Sequence, residues 1–291
     1  MTPTRPLPPR PDPGKDKSRT APPPEPAGVC PYMPMDCELA HLSICRHVLG
    51  YATVDSTNSL ARRLGEAGRI PSGTLVLADE QTAGRGRLSH TWHSSAGQGV
   101  YASVYLDALG RMPQPAYLTL AAGLSVFEAL AGLMGPAASK LDIKWPNDVL
   151  WNGKKISGIL GESTLPDNCL RPVVIGIGIN VAHTSFPEEI RHRAVSLFQA
   201  TGQPFPRHDV LLQVLGRLDQ NLARLQAGDS EAIRRGWVAA SSFVKGRKVK
   251  FFEQGRPILG TTDGLLPDGA LVVQTRYGDR VAVYSGEIFE Y

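Results

Sequence analysis

Cysteine is scarce in this chain. Cys30, Cys37, Cys45 and Cys169 form no CxxC pair and no dense framework, which argues against a disulfide-stapled secreted scaffold and fits a reducing, cytoplasmic compartment. No apolar h-region follows the start, so no secretory signal is expected, and the early prolines oppose an amphipathic transit helix. The longest apolar stretch, Pro115 to Met134, is rich in Ala and Gly and carries Glu128. It reads as a buried helix, and no membrane association is expected. A concentrated basic stripe is also missing: the formal charge of +4 and the pI near 8.9 arise from scattered residues, whereas nucleic-acid binders gather theirs on one face. Cys30, Cys37, His41, Cys45 and His47 lie close together but match no zinc spacing, and their clustering reads as chance.

What is present divides into three parts. The first 34 residues hold 12 of the 24 prolines and cannot bury enough apolar surface to offset their conformational entropy, so residues 1–36 are expected to form a disordered tail. From Val48 onward, short β-branched runs alternate with helical periods, the pattern of an α+β domain placed at 45–241. The spacing predicts a helix from the Asp55-Ser56-Thr57-Asn58 caps to about Gly68 and strands at Thr74 to Ala78 and Val100 to Leu106. It also predicts a long helix at Ala116 to Leu133, a strand from Ile143, and an Asn152-Gly153 hairpin leading to Leu160. Val173 to Val181 reads as another strand, and two helices, near Asp209 to Gln226 and Ser230 to Ala240, close the domain. The segment 242–291 holds four short β runs with Gly-containing turns, which predicts a small barrel.

Two segments carry chemistry. In Gln81-Thr82-Ala83-Gly84-Arg85-Gly86-Arg87 two arginines stand among glycines; glycine lets backbone N–H groups approach an anion and the guanidinium forks bind phosphate or carboxylate. The segment reads equally as an anion loop or an exposed basic turn. In Ile143-Lys144-Trp145-Pro146-Asn147-Asp148 a lysine sits on an apolar strand that proline ends. Lys144 either meets an anion, which would offset its desolvation, or snorkels from an edge strand with Asn147 and Asp148 forming the turn.

Taken in order, DSTN, QTAGRGR with the following Trp92, KWPND, KISGIL, IGIGIN and SGEI resemble the biotin protein ligases over roughly Val48 to Ile288. The resemblance implies a mixed-sheet catalytic domain similar to class II synthetases and lipoate ligases, followed by an SH3-like barrel. It implies that biotin attacks the α-phosphorus of ATP, with Mg2+ assisting, and that a lysine of a biotin carboxyl carrier protein or domain then takes the biotinyl group from biotinyl-5'-AMP. Carried onto this sequence, Ser56, Thr57, Asn58 and Gln81 would face the biotin ureido ring, and Gly84, Gly86 and Gly158 would admit the ligand closely. Arg85, Arg87 and Lys144 would be catalytic, with Lys144 the first choice, and Trp92, Asn147, Asp148 and Asn180 would lie around the nucleotide. The metal ligands are left unassigned.

Two departures qualify the resemblance. The family's loop continues with further Arg and Gly, whereas here Leu88, Ser89, His90 and Thr91 follow Arg87, so Arg87 is expected to carry more of the burden of retaining the adenylate. Bifunctional members also carry a helix-turn-helix repressor domain; the proline-rich opening is unsuited to three packed helices, so no operator binding is expected. Strands near Ile156 to Leu160 and Val173 to Val181 are expected to leave an edge free for homodimerisation or for the acceptor. A lipoate or octanoate ligase and a non-catalytic biotin-binding protein remain the alternative readings.

Overall fold

The computed structural model describes residues 28–107, 115–163, 172–253, 256–286 and 288–290. Of the expected tail, 1–27 lie outside the described residues. Within 28–36, Cys30 and Tyr32 are buried. The Tyr32 hydroxyl donates to the Ala78 carbonyl at 2.8 Å and accepts from the Tyr101 N–H at 2.9 Å, so this segment packs against the catalytic domain before the short helix α1 (Asp36–Leu39).

The main sheet begins with β1 (His47–Val54), which runs through α2 (Thr57–Glu66) into its parallel neighbour β2 (Thr74–Gln81). Ser56 caps α2 by accepting from the Ser59 N–H. Next come β3 (Gly99–Leu106), α3 (Pro115–Met134), β4 (Leu141–Lys144), β5 (Asp148–Trp151), β6 (Lys154–Ser163) and β7 (Val173–Asn180). The seven strands lie in the order β1-β2-β3-β7-β6-β5-β4, antiparallel except for β1 and β2. Asn152 and Gly153 take positive φ values of 49° and 77° at the β5–β6 hairpin, the backbone that an Asn-Gly pair adopts most readily. Both β6 and β7 are paired on each side. The expected free edge at 156–160 and 173–181 is therefore corrected: among the described residues the edges are β1 and β4, because continuous apolar runs such as VVIGIGI bury both faces and belong at a sheet centre.

Helix α2 covers one face of this sheet. The other face is covered by α3, followed in the chain by α4 (Leu197–Thr201), α5 (Arg207–Gln226) and α6 (Ser230–Ala240). By length and composition α3 could cross a membrane, but here it lies against α5, α6 and the sheet. Its all-round apolar surface is what a central core helix needs.

The C-terminal strands are β8 (Lys245–Glu253), β9 (Arg256–Leu265), β10 (Leu271–Thr275), β11 (Arg280–Val283) and β12 (Phe289–Glu290). They pair antiparallel in the order β11-β10-β9-β8-β12, and the sheet is open. This overturns the expected SH3-like barrel. Closure requires the outer strands to pair, yet β12 has two residues and bonds to Lys250 and Val249 of β8. The sheet instead hides its apolar side against the catalytic domain: Leu265, Leu271, Val273, Val283 and Ile288 share one core with Tyr117, Leu120 and Trp237. Curling onto itself is not needed when a neighbour supplies the cover.

Candidate active site

Two cavities meet above the centre of the main sheet. The inner one has a polar end built by Ser56, Thr57, Asn58 and Gln81. Ala102, Ile159, Leu160 and Ile177 supply apolar lining. A broader outer cavity runs past Lys144, Asn180 and Phe186 to Gly286. Gly86, Arg87, Trp92, Asn147 and Lys155 line both, so two cations stand where the cavities join.

The polar end is held by local folding. The Gln81 side-chain oxygen accepts from the Thr57 N–H at 2.8 Å, and its amide nitrogen donates to Ser94 Oγ at 2.8 Å. Asn58 Nδ2 donates to the Leu160 carbonyl at 3.1 Å and to Glu162 Oε2 at 3.0 Å. Gly176 makes room for it, since a Cβ there would stand 2.1 Å from Asn58 Oδ1.

The glycine-arginine segment folds as a tight hairpin. Gly86 N–H donates to the His90 carbonyl at 2.7 Å and Trp92 N–H to that of Gly84 at 2.9 Å, with Arg85 bridged to Thr91. Gly84 is needed for that closeness, because a Cβ would lie 2.4 Å from the Trp92 carbonyl oxygen. The two arginines part company. Arg85 is half exposed and forks onto Glu162, with a further bond to Ser59 Oγ at 3.2 Å. Arg87 turns toward the junction and donates to Asn147 Oδ1 at 3.2 Å and to the Gly286 carbonyl at 3.3 Å. The SGEI motif of the second sheet thus touches the loop.

Lys144 ends β4 and lines only the outer cavity, with Nζ 5.5 Å from the Phe243 ring centre. Lys155 occupies the junction instead. Its Nζ lies 2.6 Å from Asp148 Oδ1 and 5.4 Å from the centre of the Trp92 ring. Sequence reasoning missed Lys155, although it opens the KISGIL motif; the signal was a lysine near the start of a strand whose Gly158 leaves room beside it. A Cβ at Gly158 would stand 3.0 Å from Lys155 Nζ, and one at Gly178 would stand 2.5 Å from the Trp92 ring. Trp92 Nε1 is buried and has no hydrogen-bond partner among the described residues.

Asn147 is buried, with Nδ2 donating to the Ile159 carbonyl at 2.8 Å. Asn180 is also buried and donates to the Val195 carbonyl at 3.1 Å. Beyond it, His183 stacks on Phe186 with ring centres 4.7 Å apart. Burial, followed by the nearby His93, lowers the His183 pKa to about 4, so the ring is neutral. No group of three or more His, Cys, Asp or Glu side chains gathers among the described residues. Among the described residues, Asp148 and Glu162 near the junction are already paired, Asp148 with Lys155 and Glu162 with Arg85.

Residues 49–180 match the model of the biotin/lipoate A/B protein ligase family. A bifunctional ligase/repressor of Bacillus spizizenii is 34% identical over 245 residues, which cover 84% of this chain and 74% of that protein. A biotin–[acetyl-CoA-carboxylase] ligase of Paracoccus denitrificans is 32% identical, covering 82% of this chain and 98% of its own length. Among solved structures, a biotin protein ligase from Aquifex aeolicus in complex with biotin and ATP superposes with a TM-score of 0.71 at 33% identity, over 84% of this chain and all of that one. The two-cavity arrangement thus sits on a fold and a sequence held in common along most of the chain, which belongs to the biotin protein ligases of the biotin/lipoate A/B protein ligase family.

Proposed function

We propose that this protein activates biotin with ATP and transfers it to a lysine of a biotin carboxyl carrier protein or domain. The observation that carries the reading is the junction: a pocket with a polar end and apolar walls opens onto a larger cavity at Arg87 and Lys155. A bicyclic urea with an aliphatic carboxylate tail fits the inner pocket head first, which brings its carboxylate to the two cations.

A carboxylate oxygen then attacks the α-phosphorus. The new O–P bond replaces the bond to the bridging oxygen, and pyrophosphate leaves with that electron pair. Two anions must meet for this, and Arg87 and Lys155 offset their repulsion while Trp92 excludes water. In the second step the acceptor amine attacks the acyl carbon, AMP departs with the C–O pair, and the amine loses a proton. No side-chain nucleophile is required. Lys144 lines the outer cavity, which supports a role toward the triphosphate. The described residues offer Mg2+ no cluster of donors, so Mg2+ is expected to arrive bound to ATP phosphates, and no step is assigned to it. Three unpaired cysteines among the described residues suit a cytosolic setting.

Acid-dependent ATP–pyrophosphate exchange tests the reading. Exchange with biotin and not with lipoate or octanoate is expected; exchange only with lipoate or octanoate would move the protein to a sister activity, and exchange with none of the three would favour a binding protein.

A further inference from the structure

Glu162 lies on β6 outside the inner cavity, yet its carboxylate meets both Asn58 and Arg85. The contacts have directional consequences. Asn58 Nδ2 faces Leu160 O and Glu162 Oε2, two groups that can only accept, so the amide has one permitted orientation and Oδ1 must face Ser103 Oγ, 2.6 Å away. Oδ1 cannot donate, so the single Ser103 proton is directed to it. Ser103 Oγ also lies 2.8 Å from Thr57 Oγ1, and Gln81 Oε1 lies 3.2 Å from the same atom. The Thr57 proton goes to one of these two, which leaves Thr57 Oγ1 a lone pair, and no proton, for the cavity. Ser56 Oγ, meanwhile, accepts from the Ser59 N–H and keeps its proton.

We propose that Glu162 is a positioning residue that sets the hydrogen-bond polarity of the inner pocket, so that an acceptor at Thr57 stands beside a donor at Ser56 and matches the N–H and C=O of a cyclic urea. The inference rests on the reading of this pocket as the biotin site. It gives Arg85 a different task from Arg87: both line the inner cavity, but Arg85 is paired to Glu162 and holds that carboxylate in place, whereas Arg87 also lines the outer cavity.

Glu162→Gln keeps the size of the side chain but can turn an N–H toward Asn58 and removes the charge. Direct binding of biotin and of ATP to the full chain, measured by calorimetry together with the thermal midpoint, tests the role. Biotin affinity is expected to fall about tenfold, the scale of a charge-assisted hydrogen bond, with ATP affinity within about twofold and the midpoint preserved. Unchanged biotin affinity overturns the proposal, as does a parallel loss for both ligands, which marks general loosening. Wild-type protein that fails to bind biotin overturns the reading beneath it, and that outcome is visible before any variant is made.

Discussion

Lys155 Nζ lies 2.6 Å from Asp148 Oδ1 at the junction of the two cavities, with the Trp92 ring beneath it. The pair is half-buried, so its attraction counts for more than that of an exposed bridge. Asp148 gives Lys155 a carboxylate partner of the same kind as biotin's own carboxylate. Replacing Lys155 with Met removes the cation while keeping the stem against Trp92. Biotin-dependent pyrophosphate exchange is expected to fall by about 10²–10³, the scale for losing one preorganised electrostatic group. The same test on Lys144→Met is expected to raise the KM for ATP more than it lowers kcat. Equal behaviour of the two variants would dissolve the distinction between them.

Arg87 joins the loop to Asn147 and to Gly286, and Leu88 to Thr91 supply no further arginine. Arg87→Gly is therefore expected to form biotinyl-adenylate but release it faster, by about tenfold or more for a charge-assisted contact. Rapid filtration of labelled adenylate measures it, and wild-type retention would refute the assignment.

Gly178→Ala places a methyl group where the Trp92 ring now sits, at 2.5 Å. The expected outcome is a folded protein with displaced Trp92 and weakened biotin binding. Tryptophan fluorescence with and without biotin reads both, and an unchanged response would show that the ring moves at no cost.

Tyr32→Phe removes the hydroxyl that satisfies Ala78 O and Tyr101 N in a buried setting. A loss of about 1–3 kcal/mol in urea unfolding is expected for stranding such groups. A loss much smaller than that would mean that water enters to replace the phenol.

His183 has a folded-state pKa near 4 against an ordinary 6.5. The folded protein therefore binds fewer protons here than the unfolded chain. The stabilisation is fully present above pH 6.5, declines as pH falls, and is gone below about 4. Across that window the change is on the order of 3 kcal/mol. Unfolding free energies between pH 4 and 7, compared with His183→Phe, should show a flatter profile in the variant.

Much of the architecture is legible in the sequence because it rests on local signals. The Asp55 to Asn58 caps and the Asn152-Gly153 turn locate α2 and the β5–β6 hairpin with little help from distant residues. Strand order is a different kind of information. Nothing in IGIGIN says that β7 lies between β3 and β6, and apolar runs alone do not say whether β8 to β12 close on themselves or lean on α3 and α6. At the site, the sequence names the residues that meet but not which of two similar residues reaches the junction of the two cavities. Arg85 and Arg87, two positions apart, differ because Glu162, distant in sequence, claims the first. Lys144 and Lys155 differ because a hairpin brings the second back across the sheet. Tyr32 was unreadable for the same reason: its partners lie 46 and 69 residues away.

The open second sheet has a thermodynamic consequence. Trp145 Nε1 donates to Gly269 O, Tyr117 Oη to Pro267 O and Arg234 to Leu265 O, so the turns of the small sheet satisfy side chains from β4's end, α3 and α6. Neither part could keep its buried groups dry if the other melted. The chain is expected to lose both sheets in one cooperative transition, with calorimetric and van't Hoff enthalpies equal, and cleavage after Ala240 would yield two insoluble pieces in place of two folded ones.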